Sequence, residues 1–183
     1  MQQNEDSPLY TKDVVEFVTV AKEYCVQLEQ AKDQKQKSFM ERMSKIAPLL
    51  YLKASMLPDL YTGFGDDLES FVTEEEYESV RQSLSALFGE IDDYLDTQVT
   101  DMQYSESALP TSISENMSDV YQDLKDMLCN FQSANHDVMV QSVAECKENF
   151  KNHWGQKLLS ALGALHKGLY RPDSSVEYDS EEF

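Results

Sequence analysis

The sequence predicts an all-α fold: an antiparallel bundle of about five helices with a long C-terminal one. Three observations carry this. Apolar residues recur at i, i+3, i+4 and i+7 along separate stretches, the period of a helix with one covered face. Six Gly and five Pro among 183 residues are few for a turn-rich β protein. No stretch shows the alternation of a half-buried strand. The length is ample for one core. The expected organisation is a flexible tail over 1–10, a single helical-bundle domain over 11–171, and an acidic disordered tail over 172–183.

The first helix is expected from about Thr11 to Gln30, with Val14, Phe17, Val18, Ala21, Cys25 and Leu28 on one face. A polar stretch, Lys32 to Lys37, follows as its end or a link. The second is expected from about Ser38 to Leu57. Its later half, IAPLLYLKASML, is apolar on nearly every side and reads as buried all round. Pro48 removes one backbone hydrogen bond there and should kink the helix.

Pro58 to Phe71 reads as a loop. Thr73-Glu74-Glu75-Glu76 then forms a capping box, with Val72 and Tyr77 as its staple, and starts the third helix. Gly89 either ends that helix or weakens it, since Ile91, Tyr94 and Leu95 resume the pattern. A second loop closes at Pro110, and Ser112-Ile113-Ser114-Glu115 offers another capping box. The fourth helix places Ile113, Met117, Val120, Leu124, Met127 and Phe131 on one face. The fifth starts near Asn135 and has the longest stripe, from Met139 to Leu169. Unbroken, it spans roughly 50 Å, with Gly155 as its weakest point.

Charge narrows the function classes. Thirty-four Asp and Glu against fifteen Lys and Arg give a formal net charge of −19. Such a chain repels polyanions, so direct binding to nucleic acid or anionic lipid is disfavoured. The start of the chain is polar and acidic, without a signal-peptide pattern, and no apolar run is long enough to span a bilayer. A cytoplasmic location is expected. Cys25, Cys129 and Cys146 read as reduced, buried thiols and not as a disulfide frame or zinc site.

Against this background one window stands out. Asn149 to Pro172 contains no acid, yet holds Lys151, His153, Lys157, His166, Lys167 and Arg171. His153 and Lys157 share one flank beside Trp154. Two readings stay open: the cations meet acids on neighbouring helices and the helix dipole, or they receive a phosphate, a carboxylate or an acidic peptide of a partner, with Trp154 as an aromatic wall. Lys53, the only charge between Ile46 and Pro58, joins the candidate set. It is either a desolvated nucleophile or, by the favoured reading, a snorkelling side chain.

Other chemistry is less supported. Glu115, Asp119, Asp123 and Asp126 form a ladder almost opposite the apolar stripe of the fourth helix, and are expected to face water. The chain has no Glu-x-x-His pair of the di-iron bundle type. The three histidines lack metal-ligand spacing. Asp92 to Asp101 fails the EF-hand pattern. No catalytic residue, metal site or cofactor is assigned.

The blocks FVTVAKEYCVQLEQA, LLYLKASMLP, FVTEEEYESVRQSL, DDYLD, ISENMSDVYQDLKDML and ENFKNHWGQKLLSALGALH resemble an uncharacterised bacterial family, domain of unknown function 5063. The resemblance runs from about Val14 to His166. It implies a small, cytoplasmic, all-helical protein and implies no reaction. Whether the chain is an enzyme stays open. The leading expectation is a non-enzymatic interaction module that binds another protein or its own copy. Alternatives are an anion-binding or enzymatic bundle using the His153–Lys157 flank with Lys53, and an acidic regulator of a nucleic-acid-acting protein.

Overall fold

The computed structural model describes residues 7–60, 68–96 and 109–171. The helices are α1 (Lys12–Glu29), α2 (Gln36–Ser55), α3 (Glu74–Phe88), α4 (Ile113–Phe131), α5 (His136–Asn149) and α6 (Gly155–Leu169). A π-helical segment, Phe150–Trp154, joins α5 to α6. Together these form one long C-terminal helix of 34 residues. No helix among the described residues is long and apolar enough to cross a membrane.

Local chemistry accounts for the helix ends. At α3 the Thr73 hydroxyl accepts from the Glu76 N–H, and the Glu76 carboxylate accepts from the Thr73 N–H, as the capping box requires. Gly89 stops that helix with a φ of 55°, a left-handed value that suits glycine. Ser112 and Asn135 accept backbone hydrogen bonds at the starts of α4 and α5. The helix α2 runs unbroken through Pro48.

A small ribbon departs from expectation. Asp93–Asp96 (β1) and Leu109–Ser112 (β2) pair as a small antiparallel ribbon, with Asp93 opposite Ser112 and Leu95 opposite Pro110. Most of the loop expected over Asp101 to Thr111 lies outside the described residues, as do residues 61–67 of the loop expected over Pro58 to Phe71 and the chain ends 1–6 and 172–183. The ribbon holds buried Asp92 at the start of α4. Its carboxylate accepts from the Ser114 N–H at 2.8 Å and the Ser114 hydroxyl at 2.7 Å. A carboxylate at a helix N-terminus satisfies orphan donors and meets the positive end of the dipole.

The position of α4, on which the sequence is silent, organises the bundle. It packs on α1, α3, α5 and α6, while α2 closes the far side by packing on α1 and α6. The central element is therefore α4. Ion pairs and close contacts fix antiparallel neighbours: Glu16 with Lys53 ties α1 to α2, while Asp119 with Lys157 and Asp123 with His153 tie α4 to the C-terminal helix. Gly168 lies close to Met40, and the Phe150 ring meets Tyr51, which sets α6 antiparallel to α2. The core runs from Phe17, Tyr24 and Leu28 of α1 through Phe39 and Met43 of α2 to Leu124 of α4 and Trp154.

Candidate functional site

The seam between α4 and the long C-terminal helix gathers most of the charged side chains of interest. Along α4, Asp119, Asp123 and Asp126 fall at i, i+4 and i+7, on successive turns of one face. Because α4 is surrounded, that face meets protein. The ladder was expected to face water; Glu115 does, whereas the Asp119 and Asp123 side chains are only 16% and 15% exposed. One apolar stripe predicts one covered face, but a central helix has more than one.

Each carboxylate has partners of its own. Asp119 accepts from the Tyr77 hydroxyl at 2.6 Å and pairs with Lys157. Burial, with the hydrogen bond to Asp119, pushes the Tyr77 hydroxyl up, so it stays protonated and donating. Asp123 accepts from the Asn149 amide at 2.8 Å and lies 3.1 Å from His153 Nδ1. Asp126 accepts from the backbone N–H groups of Phe71 and Val72, at 2.7 and 2.8 Å, and so anchors the approach to α3.

The π segment sets the register of this seam. Cys146, Phe150, Trp154 and Leu158 are spaced by four, and in a regular helix each such step drifts roughly 40° round the axis. A π turn takes up more residues per turn and keeps the four on one side. Gly155 is required there: a Cβ would lie 2.4 Å from the Phe150 carbonyl oxygen. Trp154 is fully buried, donates from Nε1 to the Cys146 carbonyl at 3.1 Å, and packs on Phe150 with centroids 4.8 Å apart. Burial pushes the Cys146 thiol up, so it is a protonated core side chain.

His153 and Lys157 thus occupy adjacent rungs, as the sequence places them, while Trp154 points into the core beneath. Lys53 belongs to a different pair, 2.5 Å from Glu16 at the α1–α2 interface, with its side chain 17% exposed. A cleft of about 280 Å³ opens beside His153. Its charged lining is Glu69, Asp123, Asp126 and Glu145 against His153 alone. Such a lining favours a cation or a hydrogen-bond donor over an anion.

Sequence reasoning missed a second surface. The later half of α2 was expected to be buried all round. Phe39, Met43, Leu50 and Ala54 are buried, but Leu49, Leu52 and Met56 are 43%, 51% and 43% exposed. Continuous apolarity hides the boundary between a core face and an outer one. The spacing i, i+3, i+7 of these three was the available signal.

Fold and seam together define an all-α bundle arranged around a central acidic helix. The chain belongs to the family described as Domain of unknown function (DUF5063), whose model matches residues 8–171. It is similar to protein BF1032 from Bacteroides fragilis, a solved crystal structure: 41% identity, 92% of this chain and 99% of that chain covered, TM-score 0.81. None of the curated proteins matches it.

Proposed function

We propose that the chain is a non-enzymatic interaction module that binds another protein. The observation that supports this is the exposed ridge Leu49–Leu52–Met56 on α2. Isolated exposed hydrophobic side chains are common, but large ones grouped on one helix face mark contact surfaces. The alternative, an anion held by His153, Lys157 and Lys53, has a carboxylate of the chain against each of its cations: Asp123, Asp119 and Glu16. An anionic ligand would have to displace them.

Affinity capture with the full chain from native lysate tests the module reading. The expected result is a stoichiometric protein partner. Repeated recovery of none, with the chain a monomer by light scattering, would count decisively against it.

A further inference from the structure

We infer that the outer face of α2 docks an acidic amphipathic helix of a partner protein; this rests on the interaction-module reading and names its surface and the chemistry of its partner. Two observations meet on this face. The first is geometric. Arg42, Lys45, Leu49, Leu52 and Met56 fall within roughly 80° of one another on the helical wheel, along about 21 Å of helix. They lie opposite the buried Phe39, Met43, Leu50 and Ala54. All five are exposed. The stripe is basic at its N-terminal end and apolar at its C-terminal end.

The second observation is electrostatic. Residues 32–58 carry Lys32, Lys35, Lys37, Arg42, Lys45 and Lys53 against Asp33 and Glu41, a net +4 inside a chain of −19. Seven cations form ion pairs, Lys12, Lys53, Arg81, Lys125, Lys147, Lys151 and Lys157, while Lys22, Lys167 and Arg171, scattered elsewhere, meet no described carboxylate. Lys32, Lys35, Lys37, Arg42 and Lys45 pair with no described carboxylate. Arg42 bonds only to the neutral side chains of Gln27 and Gln34. The start of α2 adds to this field: no side chain caps it and no acid stands in its first turn.

An acidic helix with apolar residues at i, i+3 or i+4, and i+7 complements this stripe along its whole length. A second copy of α2 does not, because it offers the same cations and only Glu41 to neutralise them. A polyanion such as RNA or an anionic membrane would meet the basic end but also the net charge of the whole molecule.

Site-specific photo-crosslinking in native cells tests this, with the photoreactive residue replacing Ser55, which is exposed beside the ridge. The expected product is one protein whose crosslinked segment is rich in Asp and Glu with an apolar helical stripe. Leu52→Asp should lower its yield by at least about tenfold, and Leu52→Ala by less. Lys45→Glu should weaken binding of the purified partner several-fold and flatten its salt dependence. Circular dichroism and an unchanged melting midpoint verify that the variants fold. A captured partner indifferent to Leu52→Asp and Lys45→Glu overturns this surface and leaves the module reading standing. Crosslinks to a basic segment, to nucleic acid, to lipid or to a second copy also overturn it. No crosslink together with no captured partner overturns both readings.

Discussion

Two stretches of this acidic chain are cationic to the same degree, and the cations at the middle of each are met differently. Residues 149–172 and 32–58 each carry a net +4. In the first, Lys157 and His153 lie against α4, where Asp119 and Asp123 meet them, and Lys151 pairs with Glu148 of its own helix, while Lys167 and Arg171 are exposed and reach no described carboxylate. In the second, only Lys53 reaches a described carboxylate, Glu16 of α1, and the cations from Lys32 to Lys45 face outward. The difference lies in the neighbour and not in the sequence run itself. A cation packed on an acidic central helix becomes part of the scaffold, whereas the outer face of a peripheral helix stays exposed.

The strongest way to break this contrast is to attack the seam at its core. Trp154→Ala should cost about 3–5 kcal/mol in chemical denaturation, because it removes the largest fully buried side chain among the described residues and its hydrogen bond to the Cys146 carbonyl. Gly155→Ala should cost about 1–3 kcal/mol by the same measurement, since its Cβ has no room against Phe150 unless the π segment rearranges.

A smaller effect appears with pH. The hydrogen bond from Lys53 holds the Glu16 carboxyl below its ordinary value of 4.5. A carboxyl held low in the folded state stabilises above its unfolded value, and that contribution is lost as pH falls through the folded one. The wild type should therefore lose more stability below about pH 4.5 than Lys53→Met does, in denaturation curves run at each pH. The smallest effect is expected on the α2 ridge. Leu52→Asp should change folding stability by no more than about 0.5 kcal/mol, while any partner binding collapses. A large loss of stability would make the ridge part of the core.

Much of the fold was legible in the sequence. The capping box at Thr73 and the apolar stripes mark the helices to within a few residues, because both signals are local. What was not legible depended on which elements become neighbours. Asp119 and Lys157 are 38 residues apart, and nothing local in α4 announces that its polar face will be covered. The ribbon of β1 and β2 escaped notice because four-residue strands are too short to show alternation. The π turn left a trace in the fourfold spacing from Cys146 to Leu158, readable once regular helical drift is considered. For the candidate site, His153 and Lys157 were correctly placed on one flank, but their partners and the outward turn of Leu49, Leu52 and Met56 were not foreseen.

That the His153–Lys157 flank is built into the scaffold rests most directly on the contact between Asp119 and Lys157. A double-mutant cycle of Asp119→Asn and Lys157→Met, read by equilibrium unfolding, measures it. A favourable coupling of about 1 kcal/mol is expected, with each single variant less stable than the wild type. Zero coupling, with Lys157→Met neutral or stabilising, would contradict it and return Lys157 to the pool of groups available to a ligand.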